Sequence, residues 1–479
     1  MIDPALLVAL PLLASVVPAT LAFFRERLGW PVALVTLLAQ TVLSLFVAAE
    51  AVDGTPVVVD LGGVVPPFGI RLVVDPLAAP FVVLVAVASL GMLAYTRTAG
   101  PRSGPFYSVY LLLVAGLTGV CVTVDVFNLY VFLEISGIAA YALVARASGG
   151  KAAFAALKYL LVGTVGASLY LLGVGYAYVA TGTLSMAELS RVAASSDPTL
   201  ILSAFGLMAV GLGVKMALYP LHTWKPSAYD HAPVGVTALL AALVSTVAAY
   251  ALARLLLSAY TVDLLALAPL VQPTLLAAAC ISILAGSILA YRERRLTRRL
   301  AYSSVSQFGV VLVGIAVATP LGVTGAVVNL IGHAAMKAGA FLAAGVIAAR
   351  YGLLTVEEYR GLAAEAPYLA GAVAVLLLGL VGIPPTVGFA GKFYVALGAA
   401  QAGAWVPFGL VLASTLFSLS YFAPVLQRMY VEGPPPEASG TDSAGMRAAV
   451  AGTVVATIAL GVTAALLEGL LAPFLEAVL

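Results

Sequence analysis

Five ionisable side chains lie inside stretches of otherwise apolar sequence, and their types are suited to proton transfer. They are one acid, one histidine and three lysines, namely Glu134, His333, Lys215, Lys337 and Lys392. A lysine at the centre of a bilayer costs roughly 2.5–3.5 kcal/mol on insertion scales, so it needs a partner or a water-filled cavity. Acids and bases distributed over separate apolar segments therefore indicate a path for protons or ions across a membrane.

The composition favours a membrane protein. Of the 479 residues, 62% are hydrophobic and only 9% are charged, whereas soluble domains carry about 25% charged residues. Apolar segments of about 20 residues, the length that crosses the hydrocarbon core, recur along the chain and predict about fourteen transmembrane helices. The predicted fold class is therefore an all-α polytopic membrane protein. A net charge of +2 gives no indication of nucleic-acid binding.

We predict a single membrane domain over residues 1–479. Between predicted helices 2 and 3, the segment from Thr55 to Asp75 alternates Val-rich and Gly/Pro-rich pieces. Short β-branched runs separated by turn residues are typical of a hairpin, and we expect this one to lie outside the membrane.

Lysine and arginine residues concentrate in alternate loops. The loops after helices 1, 3, 5, 7, 9, 11 and 13 hold most of them, including Lys225 after helix 7 and the arginine-rich loop from Arg292 to Arg299. The positive-inside rule then places both termini outside the cytoplasm, and we predict a multi-pass protein of the plasma membrane. The opposite loops hold only Arg71, Arg191 and Arg254.

Two predicted helices contain proline close to a buried lysine. Pro220 follows Lys215 by five positions, and Pro384 and Pro385 precede Lys392. Because proline has no N–H, each break frees the carbonyl four residues earlier, which at membrane depth must face protein or water. Paired broken helices are typical of inverted-repeat transporters, although a single proline of this kind is equally well explained as a simple kink. The freed carbonyls are those of Met216 and Leu380.

Four motifs, taken in order along the chain, together carry a family resemblance. They are Asn-Leu-Tyr-Val-Phe-Leu-Glu134, Lys215-Met-Ala-Leu-Tyr-Pro-Leu-His-Thr-Trp224, His333-Ala-Ala-Met-Lys337, and Gly382-Ile-Pro-Pro-Thr-Val-Gly-Phe-Ala-Gly-Lys392. They resemble helices 5, 7, 11 and 12 of the D subunit of Mrp-type multisubunit cation/proton antiporters and of the antiporter-like subunits of respiratory complex I. The resemblance covers nearly the whole chain. It is more specific for this superfamily than for the D subunit, because related subunits occur in energy-converting hydrogenases.

The resemblance implies fourteen helices arranged around two inverted five-helix bundles. Helices 4–8 (about 105–260) and helices 9–13 (about 265–428) would each supply a half-channel. Helices 1–3 (about 1–104) would precede them, and a C-terminal helix (444–479) would follow. Broken helices 7 and 12 would stand at corresponding positions of the two bundles.

The same resemblance implies a role for each ionisable residue. Glu134 would pair with Lys215, and Lys158 on helix 6 would contribute to the input side near Glu134. Separating Glu134 from Lys215 would then make the lysine release its proton, because a neighbouring carboxylate favours the ammonium and desolvation disfavours it. His333 and Lys337 would be central relay sites and Lys392 the terminal proton carrier.

Each of these residues also has a simpler explanation. Glu134 could only hydrogen-bond a neighbouring helix, and the His333–Lys337 stripe could hold two helices together. Lys158 and Lys392 could extend their ammonium groups to the membrane surface if they lie near helix ends.

Helix 8 departs from the family pattern. Aligning on Tyr250 places Thr246, beside Ser245, where the family usually has a lysine that bridges the two half-channels. Neither hydroxyl titrates, although both can hold water. Either water held by Ser245 and Thr246 carries protons across this gap, or the path is interrupted.

Two classes of function remain open. The protein is either an ion-translocating subunit, in a Na⁺/H⁺ antiporter or in a proton-pumping complex I-like or hydrogenase complex, or a non-pumping scaffold whose relay stops at Thr246. A solute permease is less favoured, because the relay leaves no further polar pocket in view. We expect other membrane subunits, lipid, protons and Na⁺ as partners, no cofactor and no metal. With no nucleotide fingerprint and with Cys121 and Cys280 both in apolar spans, redox chemistry would belong to partners.

Overall fold

A computed structural model describes residues 3–52, 55–262, 264–265, 268–431, 433 and 436–479, with only the backbone of Glu26 included. Within these ranges helices predominate, and thirteen of them are long and apolar enough to cross a membrane. A further span is divided into two shorter apolar helices. The predicted class, an all-α polytopic protein with about fourteen spans, is confirmed.

The spans are numbered α1 to α14, and a last helix, α15, follows them. The first six are α1 Ala5–Ala22, α2 Gly29–Val52, α3 Ala79–Thr96, α4 Gly104–Val122, α5 Val126–Val144 and α6 Gly150–Thr181. The next five are α7 in two pieces, Pro198–Met216 and Lys225–His231, then α8 Val234–Ala259, α9 Val271–Arg292, α10 Leu296–Ala316 and α11 Pro320–Tyr351. The remainder are α12 in two pieces, Pro367–Val381 and Val387–Gln401, then α13 Trp405–Val431, α14 Ala444–Val462 and α15 Ala464–Val478.

Short helical turns connect some of the spans. Two are α-helical, Met186–Val192 between α6 and α7 and Leu362–Glu365 before α12. Four are 3₁₀ turns, Glu26–Leu28, Leu61–Gly63, Ala193–Ser195 and Val356–Tyr359. The C-terminal segment, expected as one helix, forms the two helices α14 and α15.

The predicted hairpin between α2 and α3 is present. Strand β1, Val57–Asp60, pairs antiparallel with β2, Arg71–Val74. At its loop end Arg71 donates two hydrogen bonds to Asp60, at 2.7 and 2.9 Å. These bonds lower the pKa of the Asp60 carboxyl below its ordinary value.

Three helices form the interior of the bundle. Almost every side chain of α8, α10 and α11 is buried, whereas most residues of α1, α2, α9, α13 and α14 are at least partly exposed. Apolar exposed surface of this kind suits lipid or neighbouring membrane proteins. The polar side chains on the three enclosed helices are therefore shielded from the lipid.

Glycines allow α6 and the first piece of α7 to approach closely. A Cβ atom on Gly211 would lie 2.5 Å from the carbonyl oxygen of Gly166, and one on Gly173 would lie 2.7 Å from that of Ala204. Contacts between small residues are a common way for membrane helices to pack. This packing fixes the position of the first piece of α7, which carries Lys215 near its end.

The charge pattern predicted that Arg254 lies in a loop, but the structure places it inside α8. Its guanidinium donates to both carboxylate oxygens of Asp75, at 2.6 and 2.7 Å, and both side chains are buried. Arg254 also donates to the Tyr250 hydroxyl, at 3.2 Å from Nε and 3.0 Å from Nη2. The prediction was wrong because α8 extends further along the sequence than the apolar run suggested. The ion pair joins the end of the hairpin to the enclosed helix α8.

We expect Asp75→Asn to destabilise the protein strongly. Removing one partner of a buried ion pair leaves the other charge uncompensated, which typically costs about 3–5 kcal/mol. Thermal unfolding of the purified chain in detergent measures the change. Asp60→Asn is the matched control, because the same substitution there removes an ion pair that is partly exposed to solvent and should have a much smaller effect. Equal melting temperatures for the two variants would contradict a structural role for the Asp75–Arg254 pair.

Candidate functional site

The expected pair between Glu134 and Lys215 is present in the structure. Asp125 caps the start of α5, since its carboxylate accepts a hydrogen bond from the backbone N–H of Asn128 at 2.7 Å. This helix carries Glu134 in its middle, and the Lys215 Nζ atom lies 3.3 Å from Glu134 Oε1. Nζ also donates to the Tyr141 hydroxyl at 3.2 Å. A buried ammonium is thus held by a carboxylate and a phenol from one helix.

Gly137 leaves the space that the Lys215 ammonium occupies. A Cβ atom at position 137 would lie only 2.6 Å from Lys215 Nζ and 3.1 Å from the Tyr141 hydroxyl. Because Nζ is the free end of a flexible side chain, it can move away without unfolding the helices. The geometry of the ion pair therefore depends on this glycine.

We expect Gly137→Ala to slow transport while leaving the fold intact. The added methyl group displaces the ammonium from Glu134, and misplacement of a reacting group by about 1 Å can cost on the order of a hundredfold in rate. Proton uptake by vesicles that contain the variant measures the effect. Gly175→Ala on α6 is the control, because a Cβ there meets nothing within 4 Å. Equal loss in both variants would show that the space beside Lys215 is irrelevant.

The break in α7 lies where the sequence predicted it. The first piece ends at Met216, and Ala217 adopts the left-handed conformation with φ 63°. The carbonyl of Met216, which Pro220 frees, accepts a hydrogen bond from Lys225 Nζ at 3.2 Å. The Trp224 indole donates to the Val214 carbonyl at 2.9 Å. Side chains after the break therefore satisfy carbonyls before it.

Lys225 is a buried residue that the sequence analysis missed. It was assigned to a cytoplasmic loop, yet its side chain is 0% exposed. Its Nζ atom lies 4.5 Å from the centre of the Phe308 ring, 5.6 Å from that of Tyr229 and 5.8 Å from that of Trp224. The chain returns to helix at Lys225 itself, so residues after the break remain inside the bundle. The hydrogen-bonding need of the Met216 carbonyl was the signal that could have indicated a donor here.

Ser245 and Thr246 lie directly after a π-helical turn of α8, Leu240–Val244. The Ser245 hydroxyl donates to the backbone carbonyl of Lys215 at 3.0 Å. The Thr246 hydroxyl is buried and has no hydrogen-bond partner among the described residues. Thr246 is therefore the one of the two whose hydroxyl is available to bind water, and its role in a water wire stays a prediction.

On α11, Lys337 and His333 both face α10. Lys337 Nζ donates to the Leu300 carbonyl at 2.6 Å and to the Ser303 hydroxyl. The His333 ring packs edge-on against Phe308, with ring centres 5.0 Å apart. In the described part of the chain neither nitrogen of His333 has a partner, and a buried imidazole requires one. Water is the natural partner for these two nitrogens.

The break in α12 repeats the arrangement in α7. Its first piece ends at Val381 and its second begins at Val387, so Pro384 and Pro385 lie in the gap, as predicted. Lys392 Nζ, which is buried and does not face lipid, donates to the Val381 carbonyl at 2.9 Å. The Leu380 carbonyl that Pro384 frees accepts from the Gln307 amide at 3.2 Å.

Lys158 is set apart from the other candidate residues. It is half-buried on α6, and no hydrogen bond or ion pair joins it to Glu134 within the residues that the structure describes. Its charge instead interacts with that of His222, in the break of α7. The proximity of Lys158 to Glu134 that the resemblance implied is therefore not a direct contact.

Comparison of the sequence with protein families gives one match, described as "NADH:quinone oxidoreductase/Mrp antiporter, TM", over residues 123–418. The N subunit of an NADH-quinone oxidoreductase, from Desulforudis audaxviator, is 42% identical, covering 89% of this chain and 87% of its own. The D subunit of a Na⁺/H⁺ antiporter, from Bacillus subtilis, is 32% identical over 75% of this chain and 73% of its own.

Solved structures have the same fold. A chain of the membrane-bound sulfane sulfur reductase, an archaeal respiratory membrane complex, matches with a TM-score of 0.92 and 30% identity, over 99% of this chain and 97% of its own. A chain of the Mrp complex from Dietzia matches with a TM-score of 0.91 and 25% identity, over the same shares. Both relatives are subunits of multisubunit membrane complexes.

Proposed function

Because this chain belongs to the NADH:quinone oxidoreductase/Mrp antiporter family, we propose that it translocates protons as one subunit of a membrane complex. The observation that carries the proposal is the pair formed by the buried Lys215 and the partly buried Glu134, with 3.3 Å between carboxylate and ammonium. A nearby carboxylate stabilises the protonated lysine, and its withdrawal favours release of the proton. Movement of one charge relative to the other therefore converts a conformational change into proton transfer.

The remaining ionisable residues supply the route. We propose that Lys158 and Glu134 serve the input side, that the proton passes from Lys215 to His333 and Lys337, and that Lys392 delivers it to the opposite side. Water held by the unpartnered nitrogens of His333 would connect neighbouring groups, because ordered water transmits hydrogen bonds almost as well as a direct contact.

We propose a redox-driven complex as the setting, supported by 42% identity to the N subunit of an NADH-quinone oxidoreductase. In that setting this chain carries protons and is not itself an enzyme, because electron transfer would occur in partner subunits. A Na⁺/H⁺ antiporter is the second candidate, supported by 32% identity to the D subunit of such an antiporter and by the fold of the Mrp complex.

The location that we propose is the plasma membrane, with both termini outside the cytoplasm. The structure places Lys225 and Arg254 inside the bundle and not in loops. The number of loop cations therefore falls by one on each side of the membrane. The bias toward the cytoplasmic side therefore persists, and it supports the orientation.

Purification of the complex through an affinity tag on this chain tests the proposal. Co-purifying subunits identify the setting, and the complex is then placed in liposomes with a pH-sensitive dye. Proton movement is expected on addition of a reduced electron donor and quinone for a redox pump, or of a Na⁺ gradient for an antiporter. A correctly assembled complex that moves protons under neither condition would refute the proposal and favour a scaffold.

A further inference from the structure

The middle of the route lacks an ionisable side chain on α8. Thr246 occupies the position where relatives were expected to carry a lysine, and a hydroxyl cannot store a proton. The neighbouring Ser245 hydroxyl already donates its hydrogen bond to the Lys215 carbonyl. The connection between Lys215 and the central groups His333 and Lys337 therefore needs another group.

Lys225 lies in the required place. Its Nζ atom bonds the carbonyl of Met216, the residue next to Lys215. On its other side it lies 4.5 Å from the centre of the Phe308 ring, and that ring packs against His333. The charges of Lys225, His333 and Lys337 lie close enough to interact with each other. Lys225 therefore stands between the two halves of the relay.

The short helix that carries Lys225 is also bonded to α8. Tyr229, one helical turn after Lys225, donates its hydroxyl to the Leu240 carbonyl at 3.2 Å. Leu240 begins the π-helical turn that runs directly into Ser245. The second piece of α7 is thus bonded to α8 six residues before Thr246.

Lys225 and Lys392 occupy similar positions in the two broken helices. Each lysine lies in the second piece of a broken helix, and each donates to the carbonyl of the last residue of the first piece. These carbonyls are those of Met216, at 3.2 Å, and Val381, at 2.9 Å. Because Lys392 is the terminal carrier of the proposed route, its counterpart in the first half has the chemistry to be a carrier as well.

A purely structural role does not require a lysine at this position. In the described part of the chain Lys225 has no carboxylate partner, so it does not complete an ion pair. Its described contacts are three aromatic rings and one carbonyl oxygen, and a neutral hydrogen-bond donor would also satisfy that oxygen. What lysine adds is an amine that can take up a proton and release it again.

We propose that Lys225 is the bridging proton carrier of this subunit, in place of a lysine at position 246. This inference rests on the proposed function. The Lys225 amine accepts one proton arriving from the Lys215 ammonium and becomes an ammonium, while Lys215 becomes an amine. Lys225 then gives one proton to His333 or Lys337 and returns to the amine, so no proton is gained or lost overall.

The test compares five variants of the assembled complex in liposomes, with proton uptake, subunit content and thermal stability measured on each. Lys225→Leu removes the carrier, and Lys225→Arg keeps a cation and a donor for Met216 but cannot release a proton at ordinary pH. Thr246→Val removes the hydroxyl on α8. Lys225→Leu combined with Thr246→Lys moves the amine to α8. Lys151→Leu, at an exposed position at the start of α6, is the matched control.

Uptake is expected to fall about a hundredfold in Lys225→Leu and in Lys225→Arg, which is the lower end of the range for loss of a proton-transfer group. Thr246→Val and Lys151→Leu should remain close to the wild type, and the combined variant should regain uptake. Should Lys225→Leu fail to assemble, Lys225→Arg and the combined variant decide the question.

Normal uptake in an assembled Lys225→Arg complex would overturn the inference and leave Lys225 a structural residue. Loss of uptake in Thr246→Val, with Lys225→Leu unaffected, would overturn it in favour of a water wire on α8. In either case the wild type transports protons and the proposed function stands. A wild type that moves no protons would refute both.

Discussion

Proton uptake is expected to fall by about a hundredfold or more when Lys215 is replaced by alanine, as for loss of a general acid–base group. The variant lacks the only ammonium that contacts Glu134 in the described structure, so a shift of the carboxylate no longer releases a proton. Lys215→Arg should rescue little, because arginine keeps its proton at ordinary pH. The measurement is the initial rate of dye quenching by liposomes that contain equal amounts of the complex.

Lys151→Ala is the matched control for this prediction, because it makes the same change at an exposed position. Subunit content separates a defect in transport from a defect in assembly, since Lys215→Ala leaves the partly buried Glu134 without its cation. An assembled Lys215→Ala complex with normal uptake would exclude the ion pair from the route.

The second large effect is expected for Lys392→Leu. This change removes the last ionisable group of the proposed route, and uptake should again fall by about a hundredfold. Lys392→Glu should retain part of the activity, because a carboxylate also binds and releases protons. The same dye assay measures both variants. Glutamate and leucine are similar in size, so a difference in uptake between them reports the ability to bind and release a proton.

Lys392→Gln separates titration from hydrogen bonding. Glutamine can still donate to the Val381 carbonyl, which Lys392 now satisfies at 2.9 Å, but it cannot carry a proton. We expect a stable complex with the transport defect of Lys392→Leu. Normal uptake in Lys392→Gln would mean that Lys392 only satisfies this carbonyl and that protons leave elsewhere.

The features that the sequence predicted well depend on local chemistry. Apolar segments of spanning length predicted the helices, because hydrocarbon requires each backbone to bond within itself. Pro220 and the Pro384–Pro385 pair predicted both breaks, because proline has no N–H to bond the carbonyl four residues earlier in a helix. The Glu134–Lys215 contact could be expected, since two opposite charges inside a membrane stabilise each other.

The features that could not be predicted from the sequence depend on the course of the chain in three dimensions. Lys225 was taken for a loop residue because sequence alone does not show that helix resumes at that residue inside the bundle. Arg254 was placed in a loop because its partner, Asp75, is far along the chain and gives no local sign. Lys158 makes no hydrogen bond or ion pair with Glu134 in the described residues, and its role on the input side stays a prediction.

The unbroken course of α11 has a mechanical consequence. With 32 residues, it is about 48 Å long at 1.5 Å per residue, against roughly 30 Å of hydrocarbon. Tilt alone would have to reach about 50°, beyond the range of about 0–40° seen in membrane helices, so α11 must extend beyond the hydrocarbon core. Near its end Arg350 pairs with Asp442 at 3.7 Å, just ahead of α14. His333 and Lys337 therefore sit on one continuous helix whose end is tied to the segment before α14, and this helix packs against the interrupted helix α12.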